Sequence, residues 1–298
     1  PQSVPADADL TGLPMKLQSS ERNLLVLGRL TGPKSNDHML ELIHKLNWPV
    51  IADITSGLRA SISERLRLNY YDQLLLSKSF QQELKPERVL HLGGPLTSKR
   101  YAAFISELAV ADYIQVGNNP YRQDAQNVVT ERFECDLNEF CFRLISLLQS
   151  GRDQSRVKRL KQYDQKAEQL LGGFINSPKS ISEIGVAYLI AHHIPFAYGL
   201  FLANSMPIRD MDMFACFKST GVSIAANRGA SGIDGNLASA CGYAAGLRRP
   251  VTVLIGDLAL IHDLNSLELV KKLNVPLIII AINNHGGGIF SFLPAVKF

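Results

Sequence analysis

The sequence predicts an α/β protein built from two consecutive doubly wound parallel-sheet domains. Three observations carry that reading. Short apolar runs alternate with stretches of helical spacing along most of the chain. The runs at 251–255 and 277–282 are continuously apolar, as in strands covered on both faces. And 298 residues are enough for two separate cores.

In chain order, residues 1–20 open with Pro-Gln-Ser-Val-Pro-Ala-Asp-Ala-Asp and read as an interdomain linker. A central α/β domain is expected over 21–150. Its strands are predicted at 23–27, 49–52, 88–92 and 112–116, with a fifth at 128–133. Helical spacing at 36–46 and 137–148 supplies crossover helices. The charged stretch 152–171 has neither Gly nor Pro and predicts a connecting helix within 151–178. The pair Gly172-Gly173 and then Pro178 punctuate its end.

The second domain, 179–298, opens with Ser180-Ile-Ser-Glu183, a capping box for a helix to about 193. Strands follow at 197–202, 223–226, 251–255 and 277–282, and a helix at 264–273 joins the last two. Those two are expected at the centre of the sheet. A linker-like start and a stop soon after the fourth strand suggest a chain cut short at both ends.

Composition narrows the function. The hydrophobic fraction is 46% and the charged fraction 19%, which suits a folded domain rather than a disordered one. Net charge is +4, from 31 basic and 27 acidic residues, with no basic block, so a nucleic-acid surface is not expected. The longest apolar run, 275–282, is far short of a membrane span, and no leader peptide is visible. The cysteines (Cys135, Cys141, Cys216, Cys241) form no CxxC pair and predict free thiols in a reducing compartment.

The sharpest chemical signal is Gly256-Asp257 after one apolar run and Asn283-Asn284 after the next. In an open α/β sheet, ligands sit beyond the carboxyl ends of the strands, so Asp257 and Asn284 are expected side by side. A carboxylate, an amide carbonyl and the backbone carbonyl of Gly286 make an oxygen-only set. Such a set suits a hard divalent cation that completes its octahedron with diphosphate oxygens and water. Glycines at 286, 287 and 288 let the backbone approach a phosphate. Either dipeptide alone reads as ordinary turn residues; the pairing favours the metal.

With these residues in view, the chain resembles the thiamine-diphosphate enzymes, whose signature is this Gly-Asp and Asn-Asn pair. More narrowly, Asn227-Arg-Gly-Ala-Ser-Gly-Ile-Asp-Gly235, Gly256-Asp-Leu258, Asp263-Leu-Asn265 and Gly286-Gly-Gly-Ile-Phe-Ser-Phe-Leu-Pro294 resemble one family. It is the 2-succinyl-5-enolpyruvyl-6-hydroxy-3-cyclohexene-1-carboxylate synthases, the MenD enzymes of menaquinone and phylloquinone biosynthesis. Phe201-Leu-Ala-Asn-Ser-Met206 and Leu96-Thr-Ser-Lys-Arg100 extend the likeness over most of the chain. The sequence is closest in flavour to the plant form, a module of a multifunctional plastid protein. That implies a soluble protein, of the chloroplast if plant and of the cytoplasm if bacterial.

The resemblance implies thiamine diphosphate and Mg²⁺ as cofactors, with Asp257, Asn284 and Gly286 holding the metal. Ser231, Gly232, Ile233, Gly256, Leu258, Ile289 and Phe290 would complete the cofactor site. Ile233 would wedge between the thiamine rings and force the bent cofactor shape. The implied substrates, 2-oxoglutarate and isochorismate, carry two carboxylates each, which suits the guanidinium forks of Arg209 and Arg228. Ser205 and Lys99 would join them, and Ile289, Phe290 and Leu293 would wall the pocket. A surface role is the ordinary fate of a lone Arg or Lys, and a plain core role that of Ile233. His285 stands where the family motif leads one to expect Asn, and Ala259 where Ser is commoner; neither departure removes a metal ligand. His192 and His193 read as residues of a helix end.

The implied reaction decarboxylates 2-oxoglutarate and adds the resulting carbanion to isochorismate. It also needs a glutamate from a pyrimidine-binding domain of a second subunit. No such domain fits within these residues, so the chain alone is expected to be catalytically incomplete. Two alternatives stand beside this reading: another thiamine-diphosphate lyase of the acetolactate-synthase or decarboxylase type, and a non-catalytic module that keeps the fold for binding or assembly.

Overall fold

The computed structural model describes residues 10–30, 36–149, 155–175, 181–219, 221–229 and 231–292. It divides into two compact units, Pro1–Ser177 and Pro178–Phe298. No described helix is long and apolar enough to cross a membrane.

The first unit holds β1 (Asn23–Leu27), β2 (Val50–Ala52), β3 (Arg88–Leu92), β4 (Asp112–Gly117) and β5 (Glu131–Glu134). All pair in parallel, in the order β2-β1-β3-β4-β5. Side chains alternate across a strand, and β1 shows why its sequence does not alternate. Leu25 and Leu27 pack in one core with Leu42 and Phe140, from the helices Asp37–Leu46 and Leu137–Leu147. Leu24 and Val26 pack in the other with Phe80, Tyr101 and Leu160. Both faces are covered, so the four positions from Leu24 to Leu27 are all apolar, as a doubly wound sheet requires.

Two boundaries differ from the sequence expectation. The fifth strand begins at Glu131, because the Val128 and Val129 N–H groups donate to the Asp124 carboxylate (3.0 and 3.1 Å). The helix expected to stop before Gly172-Gly173 runs Ser155–Ile175 through both glycines. A glycine costs about 1 kcal/mol inside a helix, too little to end one that is anchored upstream. Arg156 donates to the Asn23 and Leu84 carbonyls (2.6 Å each), and Asp164 accepts from the Tyr70 N–H (3.0 Å) and from Lys161 (2.6 Å). These contacts attach the helix to the first unit.

The second unit holds β6 (Gly199–Leu202), β7 (Ser223–Ala226), β8 (Val251–Gly256) and β9 (Leu277–Ile282), parallel in the order β7-β6-β8-β9. The chain leaves β6 toward one side of the sheet and β8 toward the other, so the switch point lies between their carboxyl ends. Ser182, not Ser180, caps the helix Glu183–His193, its Oγ accepting from the Gly185 N–H (3.1 Å); Ser180 lies outside the described residues.

β8 is central, as expected, and its first five residues are buried. β9 is not: it is the edge of the described sheet, and Ile278 is 44% exposed. An unbroken apolar run does not distinguish an edge from a centre. The β8–β9 connection also differs from the single helix expected at 264–273. A helix starts at once, Asp257–His262, and a 3₁₀ turn Leu264–Ser266 and a short helix Leu267–Val270 follow. The four cysteines are free and buried.

Candidate functional site

Parallel pairing of β8 with β9 brings the first two expected ligands together. Gly256 lies opposite Ile282, so Asp257 and the Asn283-Asn284 pair leave neighbouring strands at the same end of the sheet. Asp257 opens its helix, where a carboxylate is favoured by the free N–H groups, and its Oδ1 accepts from the Leu258 N–H (2.7 Å). Asn284 donates through Nδ2 to Oε1 of Glu183 (2.8 Å).

The turn after Asn284 is unusual: His285, Gly286 and Gly287 are all left-handed, with φ of 62°, 83° and 66°. A side chain on Gly286 would also meet Leu258 at 3.3 Å, and one on Gly288 would lie 2.5 Å from Asn284 Nδ2. His285 carries this conformation without being glycine. Asn and His are among the residue types enriched there, so the histidine is conformationally equivalent to the asparagine expected at this position. Among the described residues no group of three or more His, Cys, Asp or Glu could hold a metal. The set formed by Asp257, Asn284 and the Gly286 carbonyl is instead a mixed oxygen set, the chemistry a hard cation takes. Its glycine turn leaves the backbone open to a phosphate.

Across the switch point, Asn204 follows β6 and is buried. Its N–H donates to Asn236 Oδ1 (3.2 Å) and its Nδ2 to the Gly232 carbonyl (2.7 Å), while its Oδ1 is buried without a hydrogen-bond partner. Ser205 next to it has φ 74° and ψ −128°, a conformation that L residues rarely adopt. The helix Met206–Phe214 then presents Arg209, whose guanidinium donates back to the Ser205 carbonyl.

After β7 come Arg228, which donates to Ser231 Oγ (3.3 Å), and Ile233, which packs on the core of this unit. The loop ends at Gly235 (φ 65°), and the helix Asn236–Leu247 begins. The first N–H groups of that helix, at Leu237 and Ala238, donate to Asp263 Oδ2 (2.5 and 3.0 Å).

Charge is unevenly shared. Burial lowers the Arg209 guanidinium from its ordinary range and the nearby positive charge of Arg228 lowers it further, with Asp210 opposing. Asp210 is pushed up to about 7, by burial first and then by the negative charge of Glu183, with Arg209 opposing.

A cleft of about 290 Å³ joins the two sides. Of the residues expected from sequence, Ser205, Arg209, Ser231, Ile233, Gly256, Asp257, Leu258, Asn284, Ile289 and Phe290 line it. Gly232 and Gly286 adjoin lining residues in the chain, and Arg228 reaches Ser231. Lys99 belongs to the first unit, as the exposed first residue of the helix Lys99–Ser106. The segment before it is held by two buried carboxylates: Thr97 donates to Asp53, and Ser98 (2.5 Å) and Arg100 donate to Asp72. Leu293 lies outside the described residues.

Glu183 and Asn204 also line the cleft, and Asp210, next in the chain to the lining residue Arg209, is buried; sequence reasoning missed all three. Asn204 and Glu183 each left a faint signal, one just past a strand end and the other in a capping pattern.

Known proteins resemble this chain along most of its length. The family described as the middle domain of thiamine pyrophosphate enzymes matches residues 14–202, and the thiamine pyrophosphate enzyme C-terminal TPP binding domain matches residues 209–295. Among curated relatives, the 2-succinyl-5-enolpyruvyl-6-hydroxy-3-cyclohexene-1-carboxylate synthase of Rubrobacter xylanophilus is 38% identical over 99% of this chain and 51% of its own length. The protein of that name from Chlorobium phaeobacteroides is 39% identical over 93% of this chain and 47% of its own. The chain thus spans about half the length of the curated relatives it matches. Among solved structures, a protein of Mycobacterium smegmatis assigned as a thiamin diphosphate-dependent enzyme has the same fold. Its TM-score is 0.68 at 17% identity, over 98% of this chain and 56% of that one.

Proposed function

The chain belongs to the thiamine pyrophosphate enzyme family, and from that footing we propose that it is part of a 2-succinyl-5-enolpyruvyl-6-hydroxy-3-cyclohexene-1-carboxylate synthase like the relatives it matches, its second unit holding thiamine diphosphate through Mg²⁺ for the joining of decarboxylated 2-oxoglutarate to isochorismate. One observation carries the substrate reading: Arg209 lines the cleft that Asp257 and Asn284 also line, and Arg228 donates to Ser231 in the lining of that cleft. Two guanidiniums at one cleft are at ease with anions, and carboxylates fit their forks.

Asp257, the Asn284 carbonyl and the Gly286 carbonyl would hold the Mg²⁺, and the turn 286–288 would admit the diphosphate. When bound, the cofactor supplies the nucleophilic carbon and the electron sink that decarboxylation of a 2-oxo acid needs. Ile233, partly buried against the core, is the residue for bracing its rings. Arg209 and Arg228 would bind substrate carboxylates and orient the 2-oxo carbon and the diene. Ser205 would donate a hydrogen bond in the same space, and Ile289 and Phe290 would exclude water. In the overall reaction one C–C bond of 2-oxoglutarate breaks to release CO₂ and one C–C bond forms to the ring of isochorismate, whose pyruvate stays attached as the enol ether.

The acid that assists carbanion formation would come from a pyrimidine-binding domain of the full-length protein, supplied across a subunit contact. Full-length protein given Mg²⁺, thiamine diphosphate and both substrates is expected to release one CO₂ per adduct formed. Consumption of pyruvate with no adduct from isochorismate would favour an acetolactate-synthase type of lyase. Binding of cofactor with no turnover of either set would favour a non-catalytic module.

A further inference from the structure

We infer that Glu183 is a positioning residue that fixes which atom of the Asn284 amide faces the cation. The inference rests on the reading of Asp257, Asn284 and Gly286 as the metal set.

An asparagine side chain offers the cation an oxygen only if its amide is turned the right way, and a turn of 180° offers two N–H donors instead. One contact in the structure removes that freedom. Glu183 Oε1 lies 2.8 Å from Asn284 Nδ2, and an ionised carboxylate accepts but does not donate. The atom facing Glu183 must therefore be the nitrogen, which leaves the carbonyl oxygen for the other side. Gly288 leaves room for that arrangement, since a Cβ there would lie 2.5 Å from the same nitrogen.

The contact joins residues 101 positions apart. Ser182 anchors the helix on which Glu183 is the first residue. The anchored helix end sets the carboxylate, the carboxylate sets the amide, and the amide sets the ligand atom. The pair also explains why position 284 is Asn. An Asp there would be a good cation ligand by charge, yet it would have no N–H to donate to the Glu183 carboxylate. Partners that orient a ligand in this way typically contribute 10- to 100-fold to metal affinity.

The test is calorimetric titration of Mg²⁺ into the intact protein at saturating thiamine diphosphate, repeated with Mn²⁺ and read by electron paramagnetic resonance. Four variants are compared: Glu183→Ala, Asn284→Asp, the double Glu183→Gln/Asn284→Asp, and Asp257→Ala as the control for the site itself. Glu183→Ala and Asn284→Asp are each expected to weaken Mg²⁺ binding roughly 10- to 100-fold. The double variant restores a donor–acceptor pair with its polarity reversed, and is expected to recover at least tenfold over Asn284→Asp. General loss of stability cannot produce that recovery, so the outcome is decisive even if Glu183→Ala folds poorly. A double variant that binds no better than Asn284→Asp overturns the inference. So does wild-type affinity in Glu183→Ala when Asp257→Ala has lost binding, a result that leaves the metal set standing. If Asp257→Ala also binds Mg²⁺ normally, the metal set itself is wrong and the positioning role falls with it.

Discussion

At the scale of single residues, the cleft collects groups that a stable protein would otherwise avoid. Ser205 holds φ 74° without being glycine, at a cost on the order of 1–3 kcal/mol. Relief of that cost predicts that Ser205→Gly raises the denaturant midpoint, by about 1 kcal/mol of stability after the added freedom of the unfolded glycine is deducted. Ser205→Ala keeps the conformation and is expected to leave stability within about 0.5 kcal/mol. Asp210 makes a second prediction. Its carboxyl is raised to about 7 by burial and by Glu183, so between pH 4 and 7 the folded state binds a proton that the unfolded state has lost. Stability therefore falls as pH rises through that window. In a thermal-melt series Asp210→Asn is expected to flatten the fall, and an unchanged slope would show that Asp210 does not carry it.

The same scale shows what could be read in advance. Asp257 and Asn284 were legible because each closes a long apolar run, and strand ends are where α/β ligands bind. Glu183, Asn204 and Asp210 were not. The partner of Glu183 is 101 residues away, and that of the Asn204 N–H is 32. No local pattern in a single sequence encodes such a meeting.

Among elements, the loop from β7 to the helix Asn236–Leu247 is held at both ends by side chains. Asn204 takes the Gly232 carbonyl at one end, and Asp263 takes two helix N–H groups at the other. Asp263 was legible as part of a motif but not as a cap, because its helix lies 25 residues upstream. Asp263→Ala leaves two donors of a buried helix end without an acceptor and is expected to cost about 2–4 kcal/mol in chemical denaturation. Asp263→Asn keeps one acceptor and should cost about half as much. Equal and small effects would mean that water replaces the carboxylate freely. Strands were legible because two-sided burial makes them uniformly apolar, whereas β9 shares that composition at the sheet edge. Composition reports what a strand prefers to touch, not how many neighbours it has. The fifth strand of the first unit moved for a different reason, since the Asp124 carboxylate captured the backbone expected to begin it.

For the whole molecule, both units repeat one plan: the first two strands in chain order lie to one side of a switch point and the later ones to the other. Parallel neighbours need crossover connections, so runs alternating with helical stretches were enough to read the fold class. Among the described residues, the second unit has an acidic residue and an amide closing adjacent strands, Asp257 after β8 and Asn284 after β9, so the cofactor chemistry is assigned to it. The measurement that tests this assignment most directly is calorimetric titration of thiamine diphosphate into the protein with and without Mg²⁺, repeated on Asp257→Ala. The account predicts saturable binding that requires Mg²⁺ and disappears in the variant. Binding of equal strength without Mg²⁺, or unchanged binding in Asp257→Ala, would contradict it.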